Sequence, residues 1–380
     1  MNQNIVIKSS EADALRKTLE QKTDADSNRM KRFLAMPDLS RAPESPINEM
    51  VERILKIADF KDFDVIEVPE IVPAKISFDL FDFPTDHPAR SRSDTYFIDN
   101  DNILRTHTTV MWYYYLNDKN IKGKIARREA VGCFSFGKVY RKDEIDRNHM
   151  NVFHQMDGVY LIPKNQKTIT TVDLQNVLMN IAKAVFGPDT QYRFNPDTFP
   201  YTDPSLEMEI ERQGKWIEVL GSGVVKASVL DKLGVDSKIY NGWAFGFGLE
   251  RLAIVSMNLP DIRLLWSNDS RVKNQLKLGQ EFKEVSKFPP ISRDVSFVVD
   301  KDFVPNNYFD LIRDIGGDLV EEVKLLDKYE DAKKFGAAKV SYTYRIVYRS
   351  HERTLTTEKI DPIQDKIYKE TAKQFKADLR

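Results

Sequence analysis

The chain has 380 residues, of which 41% are hydrophobic and 30% charged, and its net charge is −1. This length predicts two domains, or one large domain with an appendage. The balanced charge gives no global field for a nucleic acid, and the single cysteine, Cys133, excludes an internal disulfide and a thiolate-rich zinc site. No apolar stretch reaches the roughly 18–20 residues of a membrane span.

The first forty residues are polar, with one helical stretch near residues 10–22. We expect residues 1–40 to form an extension that packs loosely against the rest of the chain. Their mixture of acidic and basic side chains argues against a signal peptide and against an acid-poor transit peptide. The sequence therefore favours a cytoplasmic location, with the mitochondrial matrix as the alternative if a presequence is removed.

Residues 41–284 carry the pattern of a large first domain. Ser45 and Pro46 predict the start of a helix, because serine caps helices and proline suits the first turn. Three further elements are predicted: a strand at 63–69, an amphipathic helix at 170–186, and a hairpin at 208–220 with Gln213-Gly214 at its turn. Strands and helices are not regularly interleaved, so we expect an α+β fold in which an antiparallel sheet is flanked by helices.

A domain boundary is predicted near Pro289-Pro290, where the pattern breaks. Residues 285–380 then read as strand, helix, two strands and helix, which is the order of a small ferredoxin-like α+β module. Residues 332–380 hold twelve Lys or Arg against six Asp or Glu. This excess of positive charge is a modest indication of a polyanionic partner.

Two arginines stand in motifs that suit a phosphate. Arg141 heads a charged loop, and Arg251 ends the glycine-spaced run 242–251. Release of pyrophosphate from ATP builds negative charge, and a guanidinium offers a planar fork of donors to meet it. The alternative is a pair of surface arginines neutralised by Asp143 and Glu250. Taken together, the two arginines favour an ATP-using enzyme.

Several motifs, in order, resemble class II aminoacyl-tRNA synthetases, and specifically the single-chain, organellar-type phenylalanyl-tRNA synthetases. Tyr140-Arg141, His149 and Phe153-His154-Gln155 resemble the second class-defining motif, and the run 242–251 resembles the third. Weaker similarities lie at 66–69, 86–90, 104–108, 199–205 and 216–221. The resemblance spans roughly residues 40–380. It implies a class II antiparallel sheet flanked by helices, followed by a ferredoxin-fold anticodon-binding domain.

The resemblance also implies ATP and Mg²⁺ as cofactors. Arg141 would hold the α-phosphate, His149 would contact the phosphates, and Arg251 would cover an adenine that stacks on Phe153. Arg141, His149 and Arg251 are the implied catalytic residues, and Glu218 would lie near the magnesium ion. The full set implied for ATP is Arg141, Asp143, Asn148, His149, Met150, Phe153, Glu218 and Arg251.

The same resemblance implies an amino-acid pocket. Its implied residues are His107, Thr109, Trp112, Gln155, Met156, Asp157, Phe199, Tyr201, Ala244, Phe245 and Gly246. Thr109, Trp112, Asp157 and Tyr201 depart from the family pattern, which has serine, glutamine, glutamate and phenylalanine there. His154 is expected only to brace strands, because strand alternation points it away from Phe153.

In the C-terminal module, phosphates need cations and unpaired bases need flat faces to stack on. The residues that could serve for tRNA are Arg293, Arg345, Arg349 and Arg353. The alternative is that Arg345 and Arg349 form a solvated strand face, with Tyr342, Tyr344 and Tyr348 in the core.

These inferences predict a monomeric phenylalanine–tRNA ligase without a membrane segment. It would activate L-phenylalanine with ATP and transfer it to the 3′-terminal adenosine of tRNA(Phe). Trp112 and Tyr201 motivate one alternative, a class II synthetase for another aromatic amino acid. A second alternative is a non-catalytic tRNA-binding paralogue.

Overall fold

The computed structural model describes residues 3–144, 146–284, 288–350 and 352–380. The chain divides into two compact units. The first comprises the described residues of Met1–Arg141, Val152–Leu259 and Leu276–Glu281, and the second those of Lys142–Asn151, Pro260–Gln275 and Phe282–Arg380. The predicted boundary at residue 285 lies outside the described residues. Among the described helices, none is both long and apolar enough to cross a bilayer.

The first unit is built on an eight-stranded sheet with helices around it. Its helices are α1 (Ser10–Gln21), α2 (Ala25–Ala35), α3 (Pro46–Leu55), α4 (Ala74–Phe78), α5 (Met111–Asn117), α6 (Lys119–Ala126), α7 (Thr171–Phe186), α8 (Ala227–Lys232) and α9 (Leu249–Met257). Its strands are β1 (Asn4–Val6), β2 (Asp64–Glu67), β3 (Ile71–Pro73), β4 (Asn102–Leu104), β5 (Val131–Tyr140), β6 (Val152–Pro163), β7 (Tyr192–Phe199), β8 (Thr202–Arg212), β9 (Lys215–Val225) and β10 (Tyr240–Gly248).

The strand order of this sheet is β1-β2-β5-β6-β10-β9-β8-β7, and β3 pairs separately with β4. From β5 to β7 every neighbouring pair is antiparallel, as predicted, whereas β1-β2 and β2-β5 are parallel. Val159, Leu161 and Ala244 point from the central strands into one large apolar core. The side chains between them, such as Tyr160 and Trp243, point to the opposite face, because successive strand residues alternate.

Local signals account for the elements that were predicted from the sequence. Ser45 accepts a hydrogen bond from the backbone N–H of Ile47 and Pro46 occupies the first turn of α3. Gln213 and Gly214 turn the β8-β9 hairpin with φ values of 53° and 77°, in the left-handed region that a two-residue hairpin turn requires.

The expectation of a loosely packed N-terminal extension was wrong. Leu19, Met30 and Phe33 are buried within the first unit, and β1 adds an edge strand to the sheet. The segment is polar on average, but its few apolar residues lie on the inner faces of α1 and α2. Average composition concealed this pattern, since four well-placed side chains, Leu34 included, are enough to dock a short helix pair.

The second unit contains a four-stranded antiparallel sheet in the order β12-β13-β11-β14. Its elements are α10 (Ser270–Lys273), β11 (Ile291–Asp300), α11 (Pro305–Gly316), β12 (Val320–Tyr329), α12 (Ala332–Phe335), β13 (Lys339–Tyr348), α13 (Thr357–Phe375) and β14 (Asp378–Leu379). Helices α11 and α13 share one core with the sheet, and Tyr342, Tyr344 and Tyr348 are buried in it, as the alternative interpretation of this module had them.

Candidate active site

Arg141 and Phe153 lie together at one end of the β5-β6 pair. Tyr140 pairs with Val152 at this end, so Arg141 leaves β5 beside Phe153 on β6. The Arg141 guanidinium lies 5.2 Å from the centre of the Phe153 ring, and its Nε donates to the carbonyl oxygen of Thr106 at 2.8 Å. A fixed cation thus adjoins an aromatic face, as a nucleotide base and its phosphates require.

Arg251 and Glu218 form an ion pair in the first unit. Arg251 lies in the first turn of α9, directly after the glycine-rich strand β10, and its Nη1 is 3.5 Å from Glu218 Oε2 on β9. Both side chains are about half exposed. The alternative pairing of Arg251 with Glu250 is not formed, because Glu250 is buried and hydrogen-bonded to His154.

Asp157 is a buried carboxylate on the same face of β6 as Phe153 and Gln155. Thr109 donates its hydroxyl to Asp157 Oδ1 at 2.9 Å, and Thr108 donates to the other oxygen. Burial raises the pKa of Asp157 to about 6, against the opposing influence of both threonine hydrogen bonds and of Arg141. Gln155 Oε1 lies 3.4 Å from the backbone N–H of Thr108.

Gly246 is required by this carboxylate. It pairs with Asp157 across the β6-β10 ladder, and a Cβ atom at position 246 would lie 2.6 Å from Asp157 Oδ1. Any side chain there would displace the carboxylate or separate the strands. A sequence containing three spaced glycines gives no indication of which one makes this contact.

Two buried ring nitrogens near this carboxylate have no hydrogen-bond partner within the described residues: Nδ1 of His107 and Nε1 of Trp112. His107 Nε2 lies 3.1 Å from the carbonyl oxygen of Ser77, so Nε2 carries the proton and Nδ1 is an acceptor. Burial, reinforced by Arg141, lowers the pKa of His107 to about 3, and the ring is therefore neutral.

Aromatic rings complete the wall beside these groups. The rings of Phe199 and Tyr201 stack with centres 6.2 Å apart, and Tyr201 meets Trp112 edge to face at 5.9 Å. Ala244 is buried in the core on the Asp157 side of the sheet. The four departures from the family pattern therefore lie together: Thr109 holds Asp157, Trp112 contacts Tyr201, and Tyr201 is also hydrogen-bonded to Thr109.

Two residues expected in this pocket point the other way. Phe245 packs over Gly158 and stacks on Phe247 at 5.8 Å, on the opposite face of the sheet from Asp157. Met156 lies between Gln155 and Asp157 and is fully buried on that opposite face as well. Only the backbone of these two residues is available to a ligand beside Asp157, since alternation along a strand separates neighbouring side chains.

A solvent-open cavity of about 540 Å³ lies on that opposite face, lined by Phe63, Tyr160 and Trp243 among others. None of the residues expected to bind ATP or the amino acid lines it. It is therefore separate from the site on the Asp157 face.

The loop that joins β5 to β6 belongs to the second unit and contains the remaining expected ATP residues: Asp143, Asn148, His149 and Met150. His149 Nδ1 lies 2.8 Å from Asp146, which also accepts the backbone N–H groups of Asn148 and His149. Burial by itself would raise the pKa of Asp146, but the hydrogen bonds from His149 and Asn148 lower it overall.

Helix α11 holds the same loop by its main chain. Asn306 donates to the carbonyl oxygen of Lys142, and Arg313 donates to those of Asp143 at 3.1 Å and Glu144 at 2.5 Å. The path of this loop is thus determined by side chains of the C-terminal module.

Three of the four arginines expected to contact tRNA are neutralised within the second unit. Arg345 makes two hydrogen bonds to Asp294, Arg293 pairs with Asp361 at 2.9 Å, and Arg349 pairs with Glu321 at 2.8 Å. Arg353 has no ion-pair partner in the part of the chain that the structure describes.

A buried charged array was not predicted. His154, expected only to brace strands, lies between the carboxylates of Glu250 and Asp38. Its partners are 96 and 116 positions away in the sequence. The one available signal was the histidine itself, placed between two residues of a candidate site.

The described residues contain no group of three or more His, Cys, Asp or Glu side chains able to hold a metal ion by themselves. Mg²⁺ usually takes only one or two carboxylates from a protein, together with water and substrate phosphates. The half-exposed Glu218 beside Arg251 fits that manner of binding.

Comparison with known protein families gives two matches. Residues 33–276 match the class II core domain of tRNA synthetases (F), and residues 286–380 match the ferredoxin-fold anticodon-binding domain. The chain is 37% identical over 359 residues to the chloroplastic/mitochondrial phenylalanine–tRNA ligase of Arabidopsis thaliana, which covers 90% of this chain and 80% of that protein.

Two further relatives agree. Identity to the mitochondrial phenylalanine–tRNA ligase of Dictyostelium discoideum is 35%, covering 84% of this chain and 80% of the relative. Identity to the mitochondrial enzyme of Mus musculus is also 35%, covering 79% and 72%. The chain therefore belongs to the phenylalanine–tRNA ligase family of class II synthetases, in the form that joins the class II core to a ferredoxin-fold anticodon-binding domain.

Proposed function

We propose that this chain activates L-phenylalanine with ATP and transfers it to the 3′-terminal adenosine of tRNA(Phe). One observation carries the proposal. Phe153, Gln155 and Asp157 share one face of β6, so an aromatic platform and a carboxylate lie about 13 Å apart along a single strand. An extended aminoacyl adenylate has an adenine at one end and an ammonium at the other, and this strand face suits both.

At the nucleotide end, adenine stacks on Phe153, and Arg141 meets the α-phosphate. The carboxylate of phenylalanine attacks the α-phosphorus, the bond to the bridging oxygen breaks, and pyrophosphate leaves. Arg141 stabilises the charge that builds on the phosphates, and Arg251 binds the far end of the triphosphate. Positioning and charge stabilisation supply the rate enhancement, and no covalent nucleophile on the protein is needed.

At the amino-acid end, Asp157 is the anchor for the ammonium group. His107 Nδ1 is an acceptor without a partner within the described residues and suits the same ammonium, whereas the Trp112 Nε1–H is a donor and suits a carboxylate oxygen. A buried polar group without a partner costs free energy until a ligand satisfies it. The substrate ring lies against Phe199 and Tyr201, where edge-to-face contacts are favourable.

Glu218 is the residue proposed to hold Mg²⁺ together with the phosphates of ATP. When bound, the ion neutralises phosphate charge. Arg251 lies beside Glu218 and also neutralises phosphate charge, so the two residues form one binding surface for the distal phosphates.

We further propose residues 41–284 as the catalytic domain and residues 285–380 as the tRNA-binding domain, preceded by residues 1–40 as an extension. The match to an anticodon-binding domain supports RNA recognition by the C-terminal domain. Arg353 is the preferred phosphate contact, since the other three arginines must first leave carboxylate partners. The single-chain relatives support a monomer, and their names favour the mitochondrial alternative over the cytoplasmic location.

Amino-acid-dependent exchange of pyrophosphate into ATP tests the proposal. We expect exchange with L-phenylalanine and little with L-tyrosine or L-tryptophan. Strong exchange with tyrosine and none with phenylalanine would refute the substrate assignment and favour the alternative based on Trp112 and Tyr201. A folded protein that binds tRNA(Phe) but exchanges no pyrophosphate with any amino acid would instead favour the non-catalytic paralogue.

A further inference from the structure

His154 is fully buried at the start of β6, in contact with two carboxylates. Its Nδ1 lies 2.6 Å from Glu250 Oε1, and its Nε2 lies 3.3 Å from Asp38 Oδ1. Burial by itself would lower the pKa of His154, but Glu250 and Asp38 raise it to about 9. The backbone nitrogen of Leu39 also lies 2.9 Å from Nε2. A neutral ring would accept this N–H at Nε2, whereas the charged ring carries a proton on Nε2 and donates it to Asp38.

Glu250 joins this histidine to the first turn of α9. Both of its carboxylate oxygens accept the backbone N–H of His154, at 3.0 and 2.8 Å, in addition to the side-chain bond. The carboxylate is almost completely buried, so water does not compete with these charge-assisted hydrogen bonds. One side chain thus fixes both the backbone and the ring of His154.

His154 and Glu250 each adjoin, in the sequence, a residue that is proposed to bind ATP. His154 lies between Phe153 and Gln155, and Glu250 directly precedes Arg251. The Glu250–His154 bonds therefore tie the strand that carries the adenine platform to the helix that carries the distal phosphate cation. Asp38 fixes the other side of the ring, and its own carboxylate accepts the backbone N–H of Ser40 at 2.9 Å.

We propose that His154, with Glu250 and Asp38, is a positioning array that sets the separation of Phe153 and Arg251 and thereby the affinity for ATP. This inference rests on the proposed function, since it takes those two residues as the nucleotide clamp. A buried array that served stability alone would have no preference among substrates. A positioning array affects ATP selectively, because the phenylalanine anchor Asp157 is held independently by Thr108 and Thr109.

The test replaces one member of the array with a side chain of the same shape. In Glu250→Gln a neutral amide replaces the buried carboxylate that balances His154, and its NH₂ group, which can only donate, faces the backbone N–H of His154 in place of an accepting oxygen. A displacement of the clamp by a fraction of an ångström is expected to raise the KM for ATP about tenfold or more. The KM for phenylalanine is expected to rise several-fold less than the KM for ATP. Gln155 of the phenylalanine pocket adjoins His154 and shifts with it, but the ammonium anchor Asp157 is held by Thr108 and Thr109.

Tyr115→Phe is the matched control. It also removes a buried hydrogen bond to a carboxylate, here Asp64 at 2.8 Å, but it lies in the core away from the array. Both variants are expected to lower the melting temperature, and only Glu250→Gln is expected to change the ratio of the two KM values. His154→Gln provides a second route to the same measurement if Glu250→Gln does not fold.

Calorimetric titration with ATP in the absence of amino acid separates this inference from the proposed function. If the wild-type chain exchanges no pyrophosphate, the proposed function fails, and the ATP dissociation constants of wild type and variants still report on the array. A folded Glu250→Gln or His154→Gln protein with an ATP affinity within twofold of wild type would overturn the inference. So would an equal rise in both KM values, which is the result expected of a purely structural array.

Discussion

Replacing Asp157 with asparagine is expected to stabilise the unliganded protein and to weaken phenylalanine binding. The Asp157 carboxylate is buried, and its pKa is raised from 3.8 to about 6. The difference corresponds to about 3 kcal/mol, at about 1.4 kcal/mol for each tenfold change. Because the folded state binds this proton more tightly than the unfolded state, the charge costs nothing below about pH 4. The cost grows between about pH 4 and pH 6 and is complete above that range.

The assay is thermal unfolding of wild type and Asp157→Asn from pH 4.5 to pH 7.5. Asparagine carries no charge, so the advantage of the variant is expected to grow with pH and to reach roughly 6–12 °C near neutrality, at about 2–4 °C for each kcal/mol. In pyrophosphate exchange, loss of a bond to a charged group of about 1.5–3 kcal/mol should raise the KM for phenylalanine by roughly 10- to 100-fold.

Asp173→Asn is the control with the opposite sign. Hydrogen bonds from Lys167 and Thr170 lower the pKa of Asp173, so its charge stabilises the folded state above the unfolded pKa and that contribution is lost in acid. Because the assay range lies above its unfolded pKa of 3.8, this variant should be less stable than wild type by a nearly constant margin from pH 4.5 to pH 7.5. A melting-temperature difference for Asp157→Asn that is independent of pH, or that declines towards neutrality, would refute the reasoning about the buried carboxylate.

Three further substitutions test other parts of the site. Arg141→Ala should reduce pyrophosphate exchange by about 100- to 1000-fold without a change in the melting temperature, and unchanged exchange would contradict its role. Gly246→Ala should raise the KM for phenylalanine and leave that for ATP unaltered, because its methyl group would lie 2.6 Å from Asp157 Oδ1; equal KM values in variant and wild type would count against the pocket. Arg353→Ala should raise the KM for tRNA in aminoacylation, whereas Arg345→Ala, already neutralised by an ion pair, should change it by less than about twofold, and the reverse order would contradict the choice of Arg353.

Much of the fold could be predicted because its signals are local. The start of α3 depends on Ser45 and Pro46, and the β8-β9 turn depends on Gln213-Gly214. Each of these signals acts within a few residues of itself. The expectation for the N-terminal segment failed because docking depends on where a few apolar side chains point, which average polarity does not reveal.

The sequence motifs predicted which residues lie at the site better than they predicted where each side chain points. Motif spacing identified Arg141 and Phe153, which lie side by side, and Glu218 and Arg251, which form a pair. The positions of Met156 and Phe245 on the far face result from strand alternation, which the motif comparison overlooked.

Contacts between residues that are far apart in the sequence could not be predicted from local sequence patterns. His154 meets Glu250 and Asp38 only after the strands and α9 have come together. The closeness of Gly246 to Asp157 likewise depends on the register of two strands that are distant in the chain.

The contacts between α11 and the β5-β6 loop place unequal constraints on evolution. Asn306 and Arg313 donate hydrogen bonds to main-chain carbonyl oxygens, which every amino acid has. These bonds do not depend on the side chains at Asp143 and Glu144, whereas no change in the loop could compensate for the loss of either helix residue. The side chain of Lys142 adds a further bond, from its Nζ to Asn307 Oδ1. Substitutions should accumulate more freely at Glu144 than at Asn306 and Arg313, so that a segment of a synthetase motif is preserved by residues that lie outside it.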